Sequence, residues 1–338
     1  MNNLGLKVLL SVAAAVAGFA ASAGCASADK GPKSLVLEHA ITLPKVKGRI
    51  DHLAINPEKT RLAVAELGNG SVDVLDIETG AVAHRITGLR EPQGLAFSQD
   101  GSLLIVAEGG AGDVQVFDAK TFETVAKIPL GEDADNVRID PRNGHAIVGY
   151  ASGALGVVDL AARKVVQRIA LPAHPEGFQI DPTTGRAFVN LPDAHTIVAV
   201  DLDTGTAGDH WSMPANLWNF PMALDPSGKG AAVVFRMAAG LVVFDRDTGA
   251  EIGSQPTCGD VDDIFYDPTR SRLYVACGEG AVDVFDIQNG APRFRARTPT
   301  KPGARTALFV PSLDRLFVAA RATDGNPDAA ILVLVPTP

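Results

Sequence analysis

The chain has 338 residues and a formal net charge of −9, from 39 acidic and 30 basic side chains. This acidity argues against a nucleic-acid partner, because such binders need a basic surface that displaces counterions from the phosphates. The sequence also contains no CxxCH haem-attachment motif, zinc-ligand spacing, Walker loop or G-x-S-x-G motif, so we expect neither haem nor a nucleotide as cofactor.

Residues 1–28 have the composition of a secretory signal peptide. Lys7 precedes an apolar run from Val8 to Ala23, which is too short and too rich in alanine for a membrane anchor. Two processing routes fit the residues that follow. Cleavage after the A-x-A sequence at 26–28 would release a soluble protein, whereas residues 22–25 resemble a lipobox that would leave a lipid on Cys25. Either route predicts an extracytoplasmic, periplasmic protein whose membrane contact, if any, is a lipid at Cys25.

From residue 29 to 338 the chain repeats one pattern seven times, at intervals of 41 to 44 residues. Its clearest copies are GRIDHLAINP (48–57), EGFQIDP (176–182) and DDIFYDP (262–268). Each copy has four short runs of alternating apolar residues between Gly, Asn, Asp and Pro, which is typical of antiparallel strands joined by tight turns. No stretch of the repeat has the apolar spacing of a helix. The period therefore predicts an all-β protein, a single seven-bladed β-propeller with four-stranded antiparallel blades.

The two ends of the repeat region complement each other. The seventh copy, residues 302–336, ends with AAILVLVP and lacks a fourth strand, while SLVLEHAITL (34–43) has the pattern of an outer strand. We therefore predict that the N-terminal strand, about residues 34–44, completes the last blade. Closure in this way removes the two open sheet edges that would otherwise aggregate.

An aspartate closes one strand in six of the copies, and we expect these carboxylates to accept hydrogen bonds from turn amides. The six are Asp76, Asp118, Asp159, Asp201, Asp245 and Asp286. In the sixth copy, Cys258 and Cys277 lie at the same end of one predicted hairpin. In an oxidising compartment this placement predicts a disulfide, with two buried free thiols as the alternative.

The repeat resembles that of the YVTN family of β-propellers, and within it that of bacterial YncE-like proteins. The resemblance covers residues 34–336 and is carried by QGLAFSQDGSLLIVAEGG (93–110), SRLYVACGEGAVDVFD (271–286) and GRIDHLAINP. The Trp-Asp and Gly-His signatures of WD40 repeats are missing. The resemblance implies a seven-bladed propeller with binding at one end of its channel, and it implies no defined activity.

Two registers of the repeat are expected to line one mouth of the central channel, because the first strand of each blade starts where the second ends. Seven carboxylates fall in these registers: Asp51, Glu66, Glu108, Asp135, Glu176, Asp262 and Asp263. A negative mouth favours a cation or a positively charged ligand. Arg236 and Arg305, from neighbouring copies, would add a basic side able to orient a zwitterion. The candidate ligand-binding set is completed by Arg49, His52, Gln93 and Asn136. The simpler alternative is a face of solvated acidic loops.

Two functional hypotheses follow from these residues. The first is a binding scaffold without catalytic residues, a monomer whose partner is a small ligand or a periplasmic protein. The second is a metal-dependent hydrolase or lyase similar to a lactonase, in which Asp51, Glu66, Glu108 and Asp262 hold a divalent cation. Asn136 would add a further oxygen ligand, and His52 would act as the base. Because the lactonase motif itself is missing, we favour the binding scaffold over the enzyme.

Overall fold

The computed structural model describes residues 33–213, 218–236, 238–324 and 327–338. The predicted signal peptide, its two cleavage sites and Cys25 lie outside these residues. Within them, 28 strands form seven four-stranded antiparallel sheets, which confirms the predicted propeller. The helices of the described part are two single 3-10 turns, Leu67–Asn69 and Pro192–Ala194. No helix in the described ranges is long and apolar enough to cross a membrane.

The first strand of the chain, β1 (Leu35–Leu43), precedes the blades. Blade 1 contains β2 (Leu53–Ile55), β3 (Arg61–Glu66), β4 (Ser71–Asp76) and β5 (Ala81–Thr87). Blade 2 contains β6 (Pro92–Phe97), β7 (Leu103–Glu108), β8 (Asp113–Asp118) and β9 (Thr124–Pro129). Blade 3 contains β10 (Val137–Ile139), β11 (Ala146–Tyr150), β12 (Ala154–Asp159) and β13 (Lys164–Ala170). Blade 4 contains β14 (Phe178–Ile180), β15 (Arg186–Leu191), β16 (Thr196–Asp201) and β17 (Thr206–Ser212).

Blade 5 contains β18 (Asn219–Leu224), β19 (Gly230–Phe235), β20 (Gly240–Asp245) and β21 (Glu251–Pro256). Blade 6 contains β22 (Val261–Asp267), β23 (Arg272–Cys277), β24 (Ala281–Gln288) and β25 (Ala291–Pro299). Blade 7 contains β26 (Ala307–Val310), β27 (Arg315–Ala320), β28 (Ala329–Pro336) and the returning β1.

The second and third strands of a blade carry the core, and the outer strand is its solvent face. In blade 1 nearly every residue of β3 and β4 is buried, whereas most of β5 is exposed. The middle strands are covered on both faces by neighbouring blades, so both sets of alternating side chains are apolar. Val72 and Val74 of blade 1, for example, share one cluster with Leu104 and Val106 of blade 2. The core is thus divided among the interfaces between blades.

Ring closure follows the prediction from the sequence. β1 pairs antiparallel with β28, from Leu35 opposite Pro336 to Leu43 opposite Ala329, with one irregularity between Leu37 and His39. Arg315 of β27 also donates two hydrogen bonds of 2.7 Å to the Glu38 carboxylate on β1. The N-terminal strand therefore completes blade 7.

The strand-closing aspartates organise the turns at the face opposite the mouth. Asp118 accepts hydrogen bonds from the amides of Lys120 and Thr121 at 2.9 and 2.8 Å, and these bonds lower its pKa. The same bonding to turn amides occurs at Asp76, Asp159, Asp201 and Asp245. Asp286 differs, because its carboxylate is paired with the guanidinium groups of Arg272 and Arg295.

Cys258 and Cys277 form the predicted disulfide. Their Cα atoms lie 5.8 Å apart, within the normal range for a bridge, and both residues are buried. The bridge ties the segment that enters β22 to the end of β23. It therefore supports the start of β22, which carries Asp262 and Asp263.

Candidate functional site

One mouth of the central channel is a narrow, charged cavity of about 500 Å³, open to solvent on one side. Its walls come from the starts of the first strands of blades 1, 3, 4, 5 and 6, since side chains at these positions converge on the ring axis. We call this cavity the mouth cavity.

Eight of the thirteen predicted ligand-binding residues line the mouth cavity. They are Arg49, Asp51, His52, Asp135, Asn136, Glu176, Asp262 and Asp263. Below them the channel widens into a more apolar space of about 900 Å³, with Leu53, Leu95 and Val137 in its walls. The two spaces share His52, Arg138, Gln179, Asp263 and Phe265, which form the floor of the mouth cavity.

Arg138 and Gln179 are site residues that the sequence interpretation missed. Each lies two residues beyond a predicted mouth position, so the alternation of a strand returns it to the same face. The repeat itself contained a signal for them, because the other copies have an apolar residue at the aligned position. These residues are Ala54, Ala96, Ala223, Phe265 and Leu308.

Glu66 and Glu108 do not line the mouth cavity, although the register of the second-strand ends predicted them for it. The Glu66 carboxylate accepts a hydrogen bond from the Ser71 hydroxyl on β4. The Glu108 carboxylate accepts bonds from the Arg90 amide, at 2.8 Å, and from the Gln115 side chain. Each glutamate is therefore bonded to its own blade or to the loop that leads into it.

The metal-ligand set considered from the sequence does not converge, because Glu66 and Glu108 have these other partners. Within the described ranges, no three His, Cys, Asp or Glu side chains are grouped so that they could hold a metal ion. The geometry therefore lends no support to a cation shared by Asp51, Glu66, Glu108 and Asp262.

Gln93, Arg236 and Arg305 lie around the mouth cavity rather than in its lining. The Gln93 side-chain amide donates to Asp133 at 3.2 Å. Arg305 Nε lies 2.5 Å from Asp262 Oδ2, and Arg236 is ion-paired with the other oxygen of the same carboxylate. Arg305 also donates to Asp260 at 2.7 Å. The predicted basic side is therefore already neutralised by Asp260 and Asp262.

Asp51 and His52 form the blade 1 wall of the mouth cavity. Asp51 is 2% exposed, and the Arg49 guanidinium lies 2.9 Å from its Oδ2. His52 Nε2 lies 3.9 Å from Asp51 Oδ1 and 3.8 Å from Asp135 Oδ1. Burial lowers the pKa of His52, although Asp51 acts in the opposite direction. The imidazole is therefore neutral at neutral pH.

Asp135 and Glu176 are wall carboxylates of the mouth cavity without an Arg or Lys ion pair. Among the residues that the structure describes, no Arg or Lys nitrogen lies within 4.0 Å of either one, and His52 Nε2 lies 3.8 Å from Asp135 Oδ1. Burial raises the pKa of both groups, and repulsion from Asp51 adds to it. His174 and Arg236 act in the opposite direction on Glu176, as Arg49 does on Asp135. Asp135 is also repelled by Glu176 and Asp133. A positive charge placed between Asp135 and Glu176 would relieve both effects.

Asp263 and Arg138 form the charged part of the floor. Burial raises the pKa of Asp263 to about 7, against the opposing influence of Arg138 and of the Ala307 amide, which donates to Asp263 Oδ2 at 2.8 Å. Burial also lowers the pKa of Arg138, while Asp263 and Asp135 raise it. Arg138 and Asp263 therefore place groups of opposite charge on the floor, below the Asp135 and Glu176 carboxylates of the blade 3 and blade 4 walls.

We predict that Glu66 makes stability fall with rising pH. Burial, with the nearby charge of Asp73, raises its pKa from 4.5 to about 8. The folded protein thus holds a proton that the unfolded chain releases, so this contribution is complete below pH 4.5 and is lost as pH rises through about 8. Urea unfolding should therefore show a smaller loss of stability from pH 5 to 8 in Glu66→Gln than in the unmodified protein.

The exposed Glu78→Gln is the matched control for that prediction, because it removes the same charge from a turn of the same blade. Glu78→Gln should leave the pH dependence of the free energy of unfolding unchanged. If the free energy of unfolding depended on pH equally in the unmodified protein and in Glu66→Gln, the raised pKa of Glu66 would be contradicted.

No family model matches the chain, and no curated protein matches it. Among solved structures, the chain is similar to the hydrazine synthase of Kuenenia stuttgartiensis, with a TM-score of 0.74 and 17% sequence identity. The similarity covers 85% of this chain and 97% of that chain. At this level of identity it supports the propeller fold alone.

Proposed function

We propose that the protein is a periplasmic binding propeller of the YncE-like kind, which holds a small ligand, or a side chain of a protein partner, in the mouth cavity. The observation that carries this proposal is the pair of carboxylates without an Arg or Lys ion pair, Asp135 and Glu176, in a narrow cavity at the channel mouth. Holding two like charges partly buried and without an ion pair is costly, and such groups mark sites where a ligand supplies the missing charge.

Secretion is part of this proposal. Residues 1–28 would serve as the signal peptide, with residues 29–338 as the mature domain, or with Cys25 lipidated at its start. The buried Cys258–Cys277 disulfide is compatible with an oxidising compartment outside the cytoplasm. We assign no catalytic residue, because the metal ligands of the alternative hydrolase hypothesis do not converge.

The proposal predicts that charge reversal at the mouth abolishes binding. We expect at least one probe from a set of small cations, zwitterions and anions to raise the melting temperature of the protein. Asp135→Lys should remove that increase, because a tethered ammonium would occupy the cavity. Differential scanning fluorimetry provides the measurement. Asp247→Lys is the matched control, since Asp247 is an exposed residue in a turn at the opposite face. An equal response in all three proteins would count against a site at the mouth.

A further inference from the structure

We propose that the mouth cavity binds a primary ammonium group, with the carboxylates of Asp135 and Glu176 and the side-chain oxygen of Asn136 as its acceptors. The inference rests on the proposed function and specifies its ligand class. The ammonium group could belong to a small amine or to a lysine side chain of a protein partner. The recognition chemistry is the same in both cases.

The distribution of ion pairs around the mouth cavity indicates that the ligand is a cation. Asp51 is paired with Arg49, and Asp262 is held by both Arg236 and Arg305. In the described ranges, Asp135 and Glu176 have no such partner among the Arg and Lys side chains. Two of the carboxylates without an ion pair therefore lie on the adjacent blades 3 and 4, whereas Asp263 on the floor interacts with Arg138. A single positive charge at the wall of blades 3 and 4 would balance their negative charge.

Asn136 provides independent support for a hydrogen-bond donor as the ligand. The residue is 3% exposed and lines the mouth cavity, yet its Oδ1 is buried and has no hydrogen-bond partner in the described part of the chain. A buried polar atom without a hydrogen-bond partner is destabilising, so a missing donor is implied. Asn136 follows Asp135 directly, at the start of β10.

The number of acceptors fits a primary ammonium. This group has three N–H donors and no acceptor, and the wall offers two carboxylates and one amide oxygen. A quaternary ammonium has the charge without the donors and would leave Asn136 Oδ1 unsatisfied. The narrow space suits a head group rather than a large molecule. Phe220 of blade 5 also lines the cavity, with the Arg236 guanidinium carbon 3.8 Å from its ring centroid.

Two other ligand classes fit less well. A ligand carboxylate would find Arg49 paired with Asp51, and Arg236 and Arg305 paired with Asp262. Arg138, the remaining arginine of the lining, already interacts with the charges of Asp263 and Asp135. A metal ion needs several ligands at close range. The described ranges contain no group of three acidic, His or Cys side chains that meets this requirement.

Isothermal titration calorimetry of the purified protein at pH 8 tests the inference with defined probes. We expect n-butylammonium, or a peptide with one lysine, to bind at least tenfold more tightly than tetramethylammonium, butyrate or Ca²⁺. Asp135→Asn and Glu176→Gln should each weaken this binding at least tenfold. Asp247→Asn, at the opposite face, should leave it unchanged. Preference for butylammonium or for the peptide would identify a free amine or a protein partner as the source, and either result supports the inference.

Three results would overturn it. These are equal binding of butylammonium and tetramethylammonium, tighter binding of Ca²⁺, and undiminished ammonium binding in both mouth variants. If butyrate alone binds and Asp135→Lys alters its affinity, the ammonium inference fails while the mouth remains the binding site. If no probe binds, the proposed function fails as well. The comparison of the two ammonium ions uses the unmodified protein, so the test stands even if a variant does not fold.

Discussion

Replacing Ile41 by Asp is expected to destabilise the protein by about 4 kcal/mol or more, or to prevent folding. Ile41 is 2% exposed, lies opposite Ile331 in the β1–β28 pair and packs in a cluster with Leu43, Phe317 and Val333. A carboxylate there would be buried without a partner. Release of β1 would then uncover the edge of β28 and open the ring. Urea unfolding measures the loss of stability, and light scattering detects association through the exposed edge.

Leu37→Asp is the matched control, because Leu37 lies on the same strand and is 54% exposed. It places the same charge in solvent, so we expect a change within about 0.5 kcal/mol. Equal unfolding midpoints for Ile41→Asp and Leu37→Asp would mean that the closing strand adds little to the stability of the ring.

Reduction of the disulfide is expected to lower the free energy of unfolding by about 3 kcal/mol. The bridge joins residues that are 19 apart in the sequence, and a cross-link over such a loop restricts the unfolded chain by about that amount. Unfolding curves in urea with and without dithiothreitol measure the difference in one and the same sequence. The reduced protein should unfold at a lower urea concentration.

The double variant Cys258→Ala/Cys277→Ala separates loss of the bridge from other effects of the reductant. Its unfolding midpoint should not respond to dithiothreitol. A thiol titration of the unreduced, denatured protein should find neither Cys258 nor Cys277 free. Two free thiols from these positions, or identical curves with and without reductant, would contradict the prediction.

From the sequence alone, the positions of the mouth residues were predicted better than their hydrogen bonds and ion pairs. Asp51, Asp135 and Glu176 were predicted for the mouth because the repeat register assigns them to the starts of first strands, and they do line the cavity. Glu66 and Glu108 share the rule for second-strand ends, but their carboxylates are bonded to Ser71, Arg90 and Gln115. The repeat register predicts how far along its strand a residue lies, but it does not predict the direction in which the side chain points.

The sequence also did not show which charged side chains form ion pairs with one another. Arg305 of the segment before β26 and Arg236 beside β19 converge on Asp262 of β22, from three different blades. The basic side predicted from their positions is therefore neutralised, which changes the expected ligand from a zwitterion to a cation. Such partners depend on how neighbouring blades pack, because their positions in the chain are tens of residues apart.

The sequence by itself determined the seven blades, the closing strand and the disulfide. Strand alternation, turn residues and a constant period are local signals, and each copy repeats them independently of the others. The tertiary structure alone decided which carboxylates lack a partner, because that property depends on burial and on charges contributed by several blades. Asp135 and Glu176 resemble the other acidic mouth residues in the sequence. Only the closed ring leaves them without an Arg or Lys ion pair in the described part of the chain.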